Sequence, residues 1–267
     1  MHDARLSQSL APLGDGSHRL RIDGQPVFVK RRRGAPPGFF AMEAYGLELL
    51  RSTATLRVPR VVYVADDTIV LQDLGRGRSD TAAWERAGRD LARLHRYTAP
   101  LFGLDRDGWC GDSAQRNCRM GDGWEFFASC RLLPQAERAR DAGLLEARDV
   151  AAVERLCGHL RSLIPPQSAS LIHGDLWTGN LHSCSDGELA LLDAAAVHYG
   201  WAEADLAMLT LFGAPPEALF ASYQHEQGVD GSWRSRAPIY NLYHLLNHLN
   251  LFGRSYLPSV TKILRRY

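Results

Sequence analysis

The sequence predicts an α+β chain in two lobes: a small antiparallel-sheet lobe with one main helix, then a larger and mostly helical lobe. Three observations predict it. The first ninety or so residues read as strand, strand, helix, strand, strand. After them the apolar spacing changes from the strand period to the helix period. Between the two, the segment from Gln72 to Gly77 holds Gly75 and Gly77 and reads as a connector, which sets lobes of residues 1–74 and 75–267. With 267 residues, 45% of them apolar, the chain has enough material for one large domain or for two lobes.

HRLRIDGQPVFVKRR reads as two strands joined by a tight turn at Asp23-Gly24, a strong hairpin signal. Pro36, Pro37 and Gly38 break the chain before FFAMEAYGLELLRS, where Phe39, Phe40, Leu47 and Leu50 recur at helical spacing. Pro59 opens the strand VPRVVYV, and the strand TIVLQDL follows. In AAWERAGRDLARLHRY, Trp84, Ala87, Leu91 and Leu94 form one helical stripe. Gly103 to Met120 is glycine-rich and irregular and reads as a loop. A helix then starts near Trp124, which Pro134 is expected to end or bend. EARDVAAVERLCGHLRSL is a further helix, stopped by Pro165-Pro166. SLIHGDLWTGN and ELALLDAA read as short strands around a loop, with a turn at Asp186-Gly187. Beyond Trp201 the chain reads as mostly helical, through AEADLAMLTLF, PEALFASYQHEQ and APIYNLYHLLNHLNLF.

Composition removes several classes of function. The net charge of +1, from 31 basic and 30 acidic residues, gives no general reason to expect a nucleic acid or a membrane as partner. No apolar run approaches a bilayer span. The opening MHDARLSQSLAPLGDG carries early charge and does not read as a secretory leader. Cysteines at 110, 118, 130, 157 and 184 are odd in number and lack C-x-x-C spacing, which argues against a disulfide framework or structural zinc and for the reducing cytoplasm. They read as buried small apolar residues. The basic run Lys30 to Arg33 is read as a solvated turn, with attraction of an anionic substrate as the other reading.

The densest set of chemical groups is His173-Gly174-Asp175-Leu176-Trp177-Thr178-Gly179-Asn180, followed by a short strand ending at Asp193. Singly, Asp175 reads as a turn residue, Asn180 as an Asx turn and Asp193 as a helix cap. Together they match what phosphoryl transfer from ATP requires. A carboxylate, Asp175, accepts the proton of the attacking hydroxyl. Oxygen ligands, Asn180 and Asp193, hold Mg²⁺ against the phosphates. His173 is read as a brace of this loop; a base, or a metal ligand together with His182 and His198, is the other reading.

Only two lysines occur, Lys30 and Lys262. Lys30 ends the strand VFVK, where an ammonium suits the α- and β-phosphates. Glu43 is its expected partner and Glu48 the rival. Gly14, Gly16 and Ser17 form a turn whose backbone N–H groups either cover the phosphates or are an ordinary turn. The absence of G-x-x-x-x-G-K-[ST] argues against a P-loop enzyme. Trp177 offers an apolar wall for a sugar ring, or simple packing.

These residues resemble the fructosamine kinase (ketosamine-3-kinase) family over almost the whole chain. The likeness lies in HGDLWTGN at 173–180, YGWAEADLAM at 199–208, FVK at 28–30 with Glu43, and Gly111, Gln115 and Asn117 followed by WEFFASCRLLPQ at 124–135. The resemblance implies a protein-kinase-like fold related to aminoglycoside and choline kinases. It further implies ATP and Mg²⁺ as cofactors, with Asp175 as base, Asn180 and Asp193 on the metal, and Lys30 on the phosphates. The Gln72-Asp73-Leu74 backbone would bind adenine, and Gln115, Asn117, Trp177, Trp201 and Glu203 would line the substrate cleft. The implied substrate is a ketosamine phosphorylated on its sugar 3-hydroxyl, after which the unstable product releases the amine. Ala194 stands where the family has proline, His198 and Trp201 replace the usual residues, and Asp112-Ser113-Ala114 replaces Thr-Thr-Pro. Kinases of aminoglycosides or amino alcohols, and a non-catalytic kinase-like scaffold, are the competing readings.

Overall fold

The computed structural model describes residues 10–267; much of the segment read above for a leader lies outside the described residues. β1 (Gly16–Ile22) and β2 (Gln25–Arg31) pair antiparallel. Asp23 and Gly24 between them both have positive φ, 48° and 78°. That is the type I′ geometry, whose twist matches the strands it joins. The helix α1 (Phe39–Ser52) follows, then β3 (Val61–Ala65) and β4 (Thr68–Gln72), in a fully antiparallel sheet of order β1-β2-β4-β3.

Each face of this sheet has its own core. Val27, Val29 and Val70 cluster with Leu10 and Ile22 on one face. Ile69 and Leu71 join Phe40, Leu47 and Leu50 of α1 in the main core on the other. Alternation along β2 therefore turns Lys30 away from the valine cluster, toward α1.

The second lobe begins with α2 (Thr81–His95), whose first turn is capped by the Asp80 carboxylate accepting the Ala83 N–H at 2.8 Å. β5 (Thr98–Ala99) comes next. The stretch 103–120 is not all loop: it contains a short hairpin of β6 (Gly108–Cys110) and β7 (Ser113–Gln115), too brief for its period to register in the sequence. Pro134 does not end the helix it follows. α3 (Gly123–Phe127) runs into a π turn at Ala128–Leu132 and on into α4 (Leu133–Asp141). The wide turn puts proline in the first turn of α4, where a missing N–H costs nothing.

α5 (Ala147–Leu163) opens with a capping box between Glu146 and Asp149 and stops ahead of Pro165. β8 (Ala169–Ile172), a 3₁₀ turn at Thr178–Asn180, β9 (Leu181–Ser183), β10 (Leu189–Leu191), a second 3₁₀ turn at Ala194–Ala196 and β11 (His198–Gly200) carry the residues of interest. β11, β8 and β5 form one sheet and β9 with β10 another. α6 (Ala202–Met208), α7 (Glu217–Gln227), α8 (Trp233–Phe252) and α9 (Leu257–Leu264) complete the lobe. α6 stops at Met208, short of the apolar run that suggested a longer helix, and α8 begins at Trp233 with Pro238 inside it.

The lobes touch closely. Gly46 of α1 lies so near the 194–196 turn that a Cβ there would sit 1.9 Å from the Ala194 oxygen. Phe39 meets Trp109 with ring centroids 5.5 Å apart, and the Arg106 guanidinium covers the Tyr45 ring at 3.8 Å. The basic run is tied down in part: Arg31 pairs with Asp67 and with the Leu10 and Leu13 carbonyls, and Arg32 crosses to Asp112. All five cysteines are free; Cys118 is exposed and Cys157 half-buried. Among the described residues no helix is long and apolar enough to cross a membrane.

Candidate active site

Lys30 is the point where the lobes meet chemically. Its Nζ donates to Glu43 Oε1 at 2.7 Å and also to the Asp193 carboxylate. Glu43 is buried, so α1 fixes the ammonium from the side away from solvent. Glu48, the rival acid, is half-buried and pairs with Arg51 one turn on. Asp193 follows β10 in a left-handed conformation, φ 57°. That conformation is strained for a residue with a Cβ, and it turns the half-exposed carboxylate out of the strand and into the cleft.

The loop 173–180 is held by its own backbone and by α6. The Asp205 carboxylate accepts the N–H of His173 at 2.8 Å and that of Gly174 at 3.0 Å. His173 is fully buried, with Nε2 on the Leu192 carbonyl at 2.7 Å and Nδ1 accepting the Asp175 N–H at 3.3 Å. Burial lowers its pKa, so the ring is neutral, and the two bonds fix its tautomer. With both nitrogens engaged His173 braces the loop; it does not converge with His182 and His198, which bond the Gly75 and Ala196 carbonyls. Asn180 Nδ2 donates to the Asp175 carbonyl at 2.8 Å, leaving the amide oxygen as its free ligand atom. Gly179 is required here because the Trp177 indole lies against it, 2.2 Å from where a Cβ would be. The indole is 39% exposed and forms one wall of the cleft.

Asp175 has an unusual environment for a carboxylate. Burial, and then the negative charge of Asp205, raise its pKa to about 7. Burial pushes Asp205 the same way, but bonds from His95 and the His173 backbone bring it below its ordinary value. Below about pH 7 the two carboxyls therefore hold different protonation states, Asp175 neutral and Asp205 ionised.

Lys30 also lines an adjoining slot formed by Phe28, Pro59, Leu71, Gln72, Asp73, Leu74 and Leu192. Its sides are largely apolar, and the connector residues Gln72, Asp73 and Leu74 line it. The Gln72 N–H donates to Arg60 O and the Asp73 N–H to Pro26 O, so these two donors are already engaged.

The structure thus gathers Gly16, Ser17, Lys30, Glu43, Asp175, Trp177, Asn180 and Asp193 around one cleft. Gly14 stands apart, its carbonyl bonded to His18. Four residues expected on the substrate are not brought to the opening. Gln115 and Asn117 are buried: Gln115 Nε2 donates to Ala196 O at 2.9 Å while its Oε1 accepts the Tyr243 hydroxyl, and Asn117 Oδ1 accepts from Arg131 at 2.7 Å. Gln115 braces the 194–196 turn and Asn117 the buried Arg131. Trp201 is packed among Phe102, Phe127 and Tyr240. Glu203 makes a two-pronged pair with Arg236 and accepts from Tyr240, in a separate groove beside His95 and Tyr223. Sequence reasoning missed Asp205, Cys110 and His244. The last two lie beside Asp175, but their segments, a loop and an apolar helix, gave no local motif.

Hard oxygen donors, Asn180 Oδ1 and the Asp193 carboxylate, fit Mg²⁺ better than a softer ion. A two-lobed fold with a lysine, a metal-suited acid and a base-suited acid about one cleft defines a kinase-type phosphotransferase. The fructosamine kinase family profile matches residues 12–267, and this chain belongs to that family. It is 37% identical to the "Probable ketoamine kinase" of Synechocystis, over 92% of this chain and 84% of the relative. It is 33% identical to the chloroplastic protein-ribulosamine 3-kinase of Arabidopsis thaliana, over 92% and 77%. A crystal structure of a candidate fructosamine-3-kinase from Thermobifida fusca superposes with TM-score 0.86 at 35% identity, over 95% of this chain and 90% of that one.

Proposed function

We propose that the protein transfers the γ-phosphoryl group of ATP to the 3-hydroxyl of a ketosamine sugar, with Mg²⁺, in the cytoplasm, and needs neither nucleic acid nor membrane. The observation that carries the reading is the position of Lys30. Its ammonium borders both the apolar slot and the acid-lined cleft, and it contacts Glu43 and Asp193 at once.

In this reading residues 1–74 cover the nucleotide and 75–267 hold the acceptor. Adenine lies between Phe28, Pro59, Leu71 and Leu192, with the Leu74 N–H as the connector donor left for the base. Lys30 holds the α- and β-phosphates, and Gly16 and Ser17 close over them. Asn180 and Asp193 hold Mg²⁺, which supplies positive charge at the phosphates. Asp175 takes the hydroxyl proton as the sugar oxygen bonds to phosphorus and the bond to ADP breaks. Its raised pKa suits that task, since a base near the ambient pH both accepts and releases protons. Trp177 stacks on the sugar face. The 3-phosphate then decomposes and frees the amine.

The test is turnover with Mg·ATP on fructosamine and ribulosamine conjugates of lysine, an aminoglycoside and an amino alcohol, with the product phosphate located by NMR. Phosphorylation at the sugar 3-position is expected. Transfer to the aminoglycoside or amino alcohol alone would move the substrate class. Nucleotide binding with no transfer to any of them would leave a scaffold.

A further inference from the structure

Behind the Asp175 carboxylate lies a group of donors that the transfer reaction does not use. Cys110 ends β6, His244 projects from the middle of α8, and Asp175 comes from the loop after β8. One ligand atom from each lies within 4.8 Å of the others. Cys110 Sγ is 3.8 Å from His244 Nδ1, and that nitrogen is 3.7 Å from Asp175 Oδ1. Around a tetrahedral zinc ion with bonds of 2.0–2.3 Å, neighbouring donors are about 3.3–3.6 Å apart. The two pairs that share His244 need to close by only a few tenths of an ångström, and the Cys110–Asp175 pair, within 4.8 Å, by about 1 Å at most.

We propose that Cys110, His244 and Asp175 form a site for one borderline-soft divalent cation, Zn²⁺ by its donor set, and that filling it takes Asp175 out of the reaction. Thiolate, imidazole and carboxylate together select zinc over magnesium, so the ion is distinct from the one proposed at Asn180 and Asp193. The ion enters from the cleft, since Asp175 is 22% exposed while the other two side chains are enclosed. Cys110 and Asn247 are already joined: Asn247 Nδ2 donates to Cys110 Sγ at 3.3 Å and to the Cys110 carbonyl at 3.0 Å, and a donor to sulfur stabilises a thiolate. His244 is ready to bind as a free base, because burial holds its pKa down at about 3. Burial keeps Cys110 a thiol in the empty site, so zinc replaces its proton, which leaves to solvent. Three protein ligands would leave a fourth position for water or a substrate oxygen.

The site itself stands on geometry; its inhibitory effect rests on the reading of Asp175 as base. Metal-stripped full-length protein, kept reduced by a phosphine, is titrated with Co²⁺ alone. One equivalent should produce a thiolate-to-cobalt charge-transfer band with tetrahedral visible bands, and Zn²⁺ should abolish both. Cys110→Ser and Cys110→Ala should lose the thiolate band, Asp175→Asn should bind cobalt more weakly, and Cys118→Ser, at the exposed cysteine, should change nothing. At saturating Mg·ATP, one equivalent of Zn²⁺ should cut wild-type turnover by about 100-fold, the scale of losing a general base, and leave stripped Cys110→Ser nearly untouched. A wild type without the thiolate band overturns the proposal even if no variant folds. So does a band that survives in Cys110→Ser, or a cobalt affinity that Asp175→Asn leaves unchanged. A Cys110- and Asp175-dependent band with undiminished turnover would keep the site and remove Asp175 from the role of base. The spectral arms decide equally if no ketosamine is turned over.

Discussion

Asp205 and His173 are joined by a 2.8 Å hydrogen bond from the His173 N–H to the Asp205 carboxylate, with the Gly174 N–H on the other oxygen at 3.0 Å. α6 thereby grips the backbone two residues before Asp175. His95, itself bonded to Tyr223, reaches the same carboxylate at 3.4 Å, so α2 and α7 reinforce the grip. The acid at the cleft is positioned by one that never touches the cleft.

Removing that acid should be costly. Asp205→Ala would leave two buried N–H groups and His95 without their acceptor, a loss of about 3–5 kcal/mol. Asp205→Asn keeps one acceptor oxygen and should lose less. Urea denaturation of the two variants gives the comparison, and equal, small losses would show that the grip contributes nothing.

The Lys30–Glu43 pair should behave as a unit. Lys30→Met removes the proposed phosphate contact and leaves Glu43 buried without its cation. We expect a fall in kcat/KM for ATP of about 100- to 1000-fold, as for other charge contacts to a transferring group. Glu43→Gln should lower kcat/KM by less, about tenfold, because Lys30 retains Asp193 and an amide oxygen. The double variant should be little worse than Lys30→Met. Fully additive losses would mean that the two residues act separately.

Much of this site could be read from the chain because its parts are local. Asp23-Gly24 specifies a type I′ turn by itself, and HGDLWTGN keeps the proposed base Asp175 and the proposed metal ligand Asn180 five residues apart. Lys30 was harder: alternation along VFVK assigns it the face opposite Val27 and Val29, but only the sheet order reveals that this face meets α1. Gln115, Asn117 and Glu203 were misplaced because polar side chains in a predicted cleft wall are as readily consumed by buried partners, here Ala196, Arg131 and Arg236. Pro134 hid a continuing helix because a π turn has no signature of its own. Asp205 and Cys110 meet the loop only through tertiary packing, which no spacing encodes.

Asp193→Asn should weaken Mg²⁺-dependent nucleotide binding about tenfold or more. It removes the charge on the oxygen ligand and the salt bridge to Lys30. Titrating Mg²⁺ into protein with a fluorescent ATP analogue measures this. Binding in the absence of Mg²⁺ should change much less, and an equal loss in both conditions would count against a metal role.

Asp175→Asn should separate function from stability. The amide keeps the shape but cannot take a proton, so kcat should fall by about 100- to 10,000-fold while ATP affinity holds. Stability should move the other way. The folded-state pKa of Asp175, about 7, lies above its ordinary value of 3.8, so the folded protein prefers the neutral acid. The wild-type stability from this group is fully present below pH 4 and is lost as pH rises through 7. The variant carries no such loss. It should therefore exceed wild type by on the order of 1–3 kcal/mol at pH 8, less than the full shift implies because water reaches the cleft side of the carboxylate. The gap should close toward pH 4. Denaturant melts of both proteins across that range provide the measurement. A difference independent of pH would mean that burial does not hold Asp175 protonated, and wild-type kcat/KM would then lose its expected rise through pH 7.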